Sequence, residues 1–498
     1  MKDMENGNLK LGIVGAGAMG GGIAQVAAMA GLETLVYDAR AGAGELAREG
    51  ILKRLDKRVS QDKMSRPARD SAADCLKAVG TLAELSDCDV VVEAIVEDLE
   101  AKTKLFSELE GLLRADAILA SNTSSLPIGA IAAQLRHRDR MAGLHFFNPV
   151  PVMKLVEVIR GPDTRDDVME ALTTLGRRLG REPVQVKDTP GFLVNYGGRA
   201  YNTEGLAVVH EGVATPAQVD AIMRDGFGFR MGPFELMDLT GMDVNFPVTR
   251  FVHESAFGDP RLRSTPLHRY MLETGQLGRK TGRGFYDYAE GSETPSADAP
   301  LNAVPAEAVV LCDQDAQLKA LVEECGGRIL ENDDSRAALL AAPVGEDATA
   351  YAARTGCDHR RLICVDTVMD ISQRVTLMTA PAALPEALAS VAALFAQARR
   401  VTTIADSPGF VGQRIAAMVA NLGCEMAQTG LASVEDIDLA MRLGLNYPRG
   451  PLELVDAMGV AVTHRILVQA QALTGDDRYR PSQWLRRRAQ LGLSARAL

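Results

Sequence analysis

Apolar residues follow two rhythms in the first third of this chain. Short continuous apolar runs, bounded by Gly, Pro, Asn or Asp, alternate with longer stretches in which apolar positions recur at helical spacing. A continuous run marks a strand covered on both faces, and the helical spacing marks a helix with one buried side. The pattern predicts strands over 9–15, 33–38, 90–95, 117–122, 141–147 and 153–159, joined by helical stretches such as 99–113 and 128–135. Strands alternating with helices predict a parallel sheet with helices packed on its faces. Beyond residue 188 the strand rhythm stops and helices dominate, which places a boundary at the TPGF that begins with Thr189.

The chain then repeats itself, and the repeat accounts for its length. TPGF at 189 recurs as SPGF at 407, an offset of 218 residues once 189 is subtracted from 407. The same offset carries Asp220 onto Asp438, Met223 onto Met441, Arg224 onto Arg442 and Gly226 onto Gly444, and MGPFELMDLTG at 231 onto RGPLELVDAMG at 449. Between the copies, AEGSETPSADAPLNAV at 289–304 reads as a linker. Short strands then return as AVVL, GRIL, RLICVD and VTLMTA, without a glycine-rich turn to open them. The expected organisation is an α/β domain over 1–188, an all-α domain over 189–288, the linker, a degenerate α/β segment over 305–405 and a second all-α copy over 406–498. By context, Asp366 stands where the first half has His145, and Gln413 where it has Asn195.

Composition narrows the class. With 65 acidic against 54 basic residues the net charge is -11, which argues against a nucleic-acid partner, since phosphate backbones are bound by clustered Lys and Arg. No apolar run approaches the roughly 20 residues needed to span a bilayer, and the opening MKDMENGNLK is polar. The 7 cysteines form no CxxC pair, and an odd number suits a reducing compartment, so the cytoplasm is expected. No metal site is predicted, because the histidines lack ligand spacing such as HExxH.

The segment GAGAMG (Gly15, Ala16, Gly17, Ala18, Met19, Gly20) follows an apolar strand and opens a helix of small residues. In that context the first two glycines permit a tight turn and close approach of backbone to a pyrophosphate, and the third lets helix and strand pack. The helix N-terminus favours the phosphate charge. The next strand ends at Asp38, where a carboxylate can bind an adenosine 2'-hydroxyl and repel a 2'-phosphate. A Rossmann-type fold binding NAD rather than NADP is therefore expected, with Arg40 the one residue nearby that pulls the other way.

The second constellation lies in GLHFFNPVPVMKLVEVI at 143–159, which spans two strands and places His145 and Glu157 on neighbours. Oxidising an alcohol needs a base for the hydroxyl proton, and histidine is the side chain that titrates near neutral pH. A carboxylate partner fixes the tautomer of the ring. The remaining histidines, 137, 210, 253, 268, 359 and 464, read as surface or satisfied residues.

Taken together, GAGAMG, EAIVEDLEAK, SNTSSL, GLHFFNPVPVMKLVEVI, TPGFLVN, MGPFELMDLTG and KTGRGFYDY resemble the L-3-hydroxyacyl-CoA dehydrogenases. The resemblance covers 9–288, and the second helical copy is similar to the same family's C-terminal domain. It implies NAD-dependent oxidation of an L-3-hydroxyacyl-CoA to the 3-oxoacyl-CoA, with His145 as base, Glu157 as its partner, and Ser124 and Asn195 completing the catalytic group. It also implies substrate contacts from Ser124, Asn148 and Asn195, and cofactor contacts from Glu97, Lys102, Ser124, Asn148 and Lys280. Coenzyme A contacts fall on the helix after Asp38, where Arg54 and Gln61 replace the family's usual Ser and Lys; Arg54, Lys57, Arg58 and Lys63 are the candidates for its phosphates. Short members pair through their helical domains, so the two copies here are expected to pack within one chain, with further homo-oligomers left open.

The duplicated helical domain resembles long bacterial members acting on 3-hydroxyadipyl-CoA or 3-hydroxybutyryl-CoA, in phenylacetate or fatty acid degradation. A terminal carboxylate would call for a cation near the end of the pocket, and Arg199 and Arg224 are the candidates to supply it. Gly197 and Gly198 depart from the family pattern and suggest either space kept beside Asn195 or a close helix contact. Two rivals stand beside this reading. Dehydrogenases of free 3-hydroxyacids share the glycine turn but use a helical Lys, and the helix after PGF has none. A non-catalytic NAD-sensing module would explain the eroded second half.

Overall fold

The computed structural model describes residues 4, 5, 7–300 and 302–497. Part of the polar opening and residue 301 of the expected linker lie outside them; the rest of 289–304 contains no helix or strand. The described residues divide into two compact units: Met1–Tyr196 with Gly430–Leu445, and Gly197–Thr429 with Asn446–Leu498.

In the first unit, β1 (Lys10–Val14), β2 (Glu33–Tyr37), β3 (Leu76–Ala78), β4 (Val90–Glu93), β5 (Ile118–Ser121), β6 (Met141–Phe146), β7 (Leu155–Arg160) and β8 (Glu182–Lys187) form one sheet. Its order is β3-β2-β1-β4-β5-β6-β7-β8, parallel throughout except for the antiparallel pair β6 and β7. The central strands are buried on both faces, as in VVVE of β4, which is why they read as unbroken apolar runs. Strand order reverses between β1 and β4, and an open α/β sheet binds its ligands in the crevice at such a switch point.

Two strands escaped the apolar pattern, both at edges. β3 is only 3 residues long, and β8 (EPVQVK) buries alternate positions. β7 begins at Leu155 because the chain is still turning at Met153, whose amide donates to the Pro149 carbonyl at 3.0 Å. The stretch expected as a helix over 128–135 is helical only from Ile128–Ile131 and tightens into a 3-10 turn at Ala132–Gln134. β8 is covered by the helix Val434–Leu445, which belongs by sequence to the second helical copy. The Lys187 amide donates to the Leu431 carbonyl at 2.9 Å and the Gln185 amide to Asp436 at 3.2 Å. Gly444 leaves only 3.0 Å between its missing Cβ and the side chains of Leu155 and Val194. An otherwise open strand edge is thereby closed within the unit.

The second unit is mainly helical and shows the repeat as packing. Gly205, in the helix Arg199–His210, lies so close to Pro233 that a Cβ would meet it at 2.8 Å; at the repeat offset, a Cβ on Gly423 would meet Pro451 at 2.4 Å. Proline opens the following helix in both copies, Pro233–Thr240 and Pro451–Met458, with Glu235 and Glu453 bonding back to the amides of Gly232 and Gly450. The helix Gly412–Gln428 of the second copy packs on Arg199–His210 of the first. Gly197 and Gly198 are not inside a helix: one ends Val194–Gly197 and the other caps Arg199–His210.

The same unit holds a six-stranded sheet of β9 (Ala308–Leu311), β10 (Arg328–Leu330), β11 (Ala338–Ala341), β12 (Leu362–Val365), β13 (Arg374–Met378) and β14 (Arg400–Ile404), ordered β10-β9-β11-β12-β13-β14. The antiparallel pair β12 and β13 repeats the β6 and β7 arrangement, and its register sets Asp366 against Thr376 where the first sheet sets His145 against Glu157. Asp315, not glycine, opens the helix after β9, its carboxylate accepting from the Leu318 amide at 2.8 Å. A fixed anion at that helix N-terminus opposes phosphate binding.

Arg414 ties the two helical copies together. It is fully buried and donates to Glu204 at 2.9 Å, Glu211 at 2.7 Å and the Tyr479 hydroxyl at 2.7 Å. Removing one partner of such a buried pair typically costs about 3–5 kcal/mol. Arg414→Met should therefore lower the unfolding free energy of the helical unit, read from urea titration, by an amount of that order, and a value within error of the parent would show that the network does not hold the copies together.

Candidate active site

At the C-terminal end of β1 the chain turns through Gly15, whose φ of +104° and whose approach to the Ala94 carbonyl, 2.4 Å from a would-be Cβ, exclude any side chain. A Cβ on Gly20 would lie 1.8 Å from the Gly15 carbonyl oxygen, so helix Ala18–Met29 can start against the strand only with glycine there. Gly17 differs. It caps that helix, is exposed, and a Cβ on it would meet nothing within 4 Å. The open face over free helix amides is a cradle for a phosphate.

Asp38 closes the cradle. One carboxylate oxygen accepts from the Ala16 amide at 2.8 Å, and the other from the Arg40 amide at 2.9 Å and Nε at 3.1 Å. The hydrogen bond from the Arg40 side chain, outweighing partial burial, holds the Asp38 carboxyl down at about 2. Arg40 is thus paired with Asp38 rather than free for a second phosphate. A cleft of about 780 Å³, lined by Gly15, Gly17, Asp38, Arg40 and Val96 among others, runs from this point.

Across the sheet, His145 and Glu157 face each other in register on β6 and β7, with His145 Nδ1 2.6 Å from Glu157 Oε2. The other carboxylate oxygen accepts from the Leu193 and Val194 amides at 3.1 and 2.9 Å. With Glu157 as acceptor, Nδ1 carries the ring proton and Nε2 is left as a base. His145 lines a second cleft of about 330 Å³ together with Glu97, Asn122, Ser124, Asn148 and Asn195.

Glu97 organises the SNTSS loop. Its Oε1 accepts from the Thr123 hydroxyl at 2.7 Å and from the Ser124 and Ser125 amides at 2.9 and 3.0 Å. Burial opposes its ionisation, yet the Thr123 hydroxyl, the Lys102 charge and the Ser124 amide together hold its carboxyl below the usual range. Asn195 Nδ2 donates to the Ser124 carbonyl at 3.3 Å, bringing the start of the next helix to the same loop. Lys102 is completely enclosed, 2.6 Å from Glu93 Oε1 and 3.2 Å from Glu97 Oε2, so it acts on the cleft through Glu97. Glu93 and Asn122 were missed in the sequence. Glu93 also accepts from the Ser121 hydroxyl at 2.6 Å, and Asn122 accepts from the Phe146 amide at 2.8 Å. The signal for Glu93 was a carboxylate ending a wholly apolar strand.

A third cleft, of about 700 Å³, meets the second at Asn148 and is lined by Gly17, Gly22, Arg54, Lys57, Arg58 and Gln61 as well. Arg54 Nε is held by Gln25 Oε1 at 2.7 Å. Ala16 and Ala18 border this cleft and Met19 the one lined by His145. Lys280 belongs to the other compact unit, where its Nζ is 2.6 Å from Asp243 Oδ1. Among the described residues, no group of His, Cys, Asp and Glu could hold a metal ion, and no helix is long and apolar enough to cross a membrane.

The family described as "3-hydroxyacyl-CoA dehydrogenase, NAD binding domain" matches residues 10–189, and its "C-terminal domain" matches 191–288 and 409–497. The 3-hydroxyadipyl-CoA dehydrogenase of Escherichia coli (strain K12) is 39% identical over 481 residues, which covers 96% of this chain and 97% of that one. The mitochondrial hydroxyacyl-coenzyme A dehydrogenase of Homo sapiens is 40% identical over 283 residues, 55% of this chain and 90% of its own. Among solved structures, 3-hydroxybutyryl-CoA dehydrogenase from Escherichia coli K12 superposes with a TM-score of 0.85 at 37% identity, covering 97% of this chain and 99% of that one.

The contacts of Glu157 generate a prediction that needs no ligand. Glu157→Leu leaves two buried amides without acceptors, each costing about 1–3 kcal/mol. Hydrogen exchange at Leu193 and Val194 should then speed up at least tenfold while β1 and β4 stay protected. Unaltered exchange at both amides would mean that the carboxylate does not anchor this turn.

Proposed function

The chain belongs to the 3-hydroxyacyl-CoA dehydrogenase family and is an NAD-dependent enzyme oxidising a 3-hydroxyacyl-CoA to the 3-oxoacyl-CoA, and from that premise we propose that its own substrate is 3-hydroxyadipyl-CoA, with His145 as the base. The observation carrying the mechanism is the 2.6 Å contact of His145 Nδ1 with the buried Glu157, which engages that nitrogen and leaves Nε2 as the base of a ring that lines the small cleft. The acyl chain is proposed from the relative that matches nearly end to end. A 3-hydroxybutyryl group is the second reading, because the superposing structure bears that name.

In this reading His145 Nε2 takes the hydroxyl proton, and Glu157 stabilises the imidazolium that results. Ser124 and Asn195, joined at 3.3 Å, hold the hydroxyl and the forming carbonyl in place. Asn148, which lines both clefts, orients the thioester end, and Arg54 and Lys57 neutralise coenzyme A phosphates in the wider cleft. Gly17 leaves the space that a pyrophosphate requires, Gly15 and Gly20 let the turn and the helix pack closely beneath it, and Asp38 accepts from the adenosine ribose. When bound, NAD supplies the acceptor for the hydride. Glu97, with Lys102 behind it, fixes the SNTSS loop where it borders the small cleft. We place the enzyme in the cytoplasm, consistent with 7 cysteines of which none forms a disulfide.

General-base catalysis is worth about 10²–10⁴ in rate, so His145→Gln should lower kcat by that range with little change in KM, followed as NADH absorbance with 3-hydroxyadipyl-CoA and NAD. Turnover of 3-hydroxybutyryl-CoA with a higher kcat/KM than 3-hydroxyadipyl-CoA would favour the second reading, and no turnover of either would remove the proposal. Removing charge-assisted hydrogen bonds of about 1.5–3 kcal/mol by Asp38→Ala should weaken NAD binding at least tenfold in calorimetry and narrow the gap to NADP. An unchanged preference would exclude Asp38 as the discriminating residue.

A further inference from the structure

The cleft that starts at Asp38 and the cleft lined by His145 share one wall, the turn at Ala94 and Ile95, which lines both. That wall lies directly against the glycine turn: a Cβ on Gly15 would stand 2.4 Å from the Ala94 carbonyl oxygen and 3.2 Å from the Ile95 nitrogen. Just before the turn, β4 ends on Glu93, a carboxylate with no exposed surface that lines neither cleft. Its Oε1 accepts from the Ile95 amide at 2.7 Å and from Lys102 Nζ at 2.6 Å, and its Oε2 from the Ser121 hydroxyl at 2.6 Å. A buried carboxylate is costly, and Lys102 does not require this one as its counter-charge, because Glu97 Oε2 stands 3.2 Å from the same Nζ.

Three routes lead out of Glu93. The Ile95 amide fixes the shared wall. The Ser121 hydroxyl has its proton committed to Glu93, so its oxygen is left as an acceptor and takes the Thr123 amide at 3.2 Å. Lys102 passes the contact on to Glu97, which holds the Thr123 hydroxyl and the Ser124 and Ser125 amides. The second and third routes therefore meet on the SNTSS loop, which borders the His145 cleft at Asn122 and Ser124.

We propose that Glu93 is a positioning residue for hydride transfer, setting the wall between the two clefts and the loop beyond it in one fixed relation, so that cofactor and acyl substrate meet at one separation. The inference rests on the placement of NAD and substrate given above. Reacting atoms displaced by about 1 Å lose about 10²-fold in rate, which is why a group that touches neither ligand can govern the step between them.

The test uses full-length enzyme. Glu93→Gln keeps the side-chain shape, but with its oxygen on Ile95 and Lys102 its Nε2 faces Ser121, whose proton then has no acceptor. Without ligand, hydrogen exchange at Ile95 and at Thr123 should each speed up at least about fivefold, because a bond to an ionised acceptor is roughly twice as strong as a neutral one. Strands β2 and β8 should keep wild-type protection. In calorimetry NAD should bind about three- to tenfold more weakly. With saturating NAD, kcat should fall about ten- to a hundredfold, while KM for the acyl-CoA stays within about threefold, since neither Glu93 nor the SNTSS loop lines the Arg54 cleft. A carboxylate serving the fold alone would lower the melting temperature without moving NAD affinity.

Ser121→Ala cuts the second route only. It should speed exchange at Thr123 and lower kcat about three- to tenfold, the loss of a neutral hydrogen bond, with Ile95 exchange and NAD affinity at wild-type values. Wild-type NAD affinity or kcat in Glu93→Gln, beside the losses expected of Asp38→Ala and His145→Gln, would overturn this inference alone. Wild-type behaviour of all three variants would overturn the reading of the clefts with it. Wild-type kcat in Ser121→Ala would overturn the inference even if Glu93→Gln did not fold.

Discussion

Glu157 is wholly enclosed, and an enclosed carboxylate survives only if each lone pair that faces the protein is met by a donor. Here the donors are the His145 ring on one oxygen and the first amides of the helix carrying Asn195 on the other. One carboxylate therefore fixes the tautomer of His145 and the position of the asparagine that reaches the Ser124 loop. The antiparallel pairing of β6 and β7 in an otherwise parallel sheet makes this possible, because it sets the two side chains directly opposite each other.

Around that pair, charge is handled by burial and pairing in layers. Lys102 is closed in by Glu93 and Glu97, and Glu97 in turn presents its other oxygen to the backbone and hydroxyls of the SNTSS loop. At the opposite end of the crevice Asp38 stays ionised because Arg40 bonds to it. The polar groups lining the His145 cleft are thus held in place by the protein itself, the kind of arrangement by which a site avoids reorganisation at the moment of reaction.

The duplication kept what packing requires and lost what chemistry requires. Gly205 against Pro233 and Gly423 against Pro451 preserve the same close approach of helix to helix. The second sheet, in contrast, opens its first helix on Asp315 and puts Asp366 and Thr376 where the first has His145 and Glu157. Its buried Gln413 donates to Asp366 at 2.9 Å, so the position matching Asn195 is tied into the core. Among the described residues the second sheet has no counterpart of the His145–Glu157 pair, and the second half packs on the first helical copy and, through Val434–Leu445, on β8.

Much of this was legible in the linear pattern. Local rules sufficed for the glycine turn, the acid ending β2, the apolar central strands and the repeat, because each depends on neighbours in sequence or on identity at a fixed offset. The edge strands β3 and β8 were not legible, since being short or half-exposed they carry little apolar signal. Nor could sequence say that Lys102 is sealed behind Glu97, that Arg224 is paired while Arg199 is not, or that His268 is enclosed. Those are questions of which charge meets which counter-charge, and they are decided by contacts between residues far apart in the chain. His145 and Glu157 lie between the two cases: their spacing was written in the sequence, but only the strand register brings Nδ1 and Oε2 to 2.6 Å.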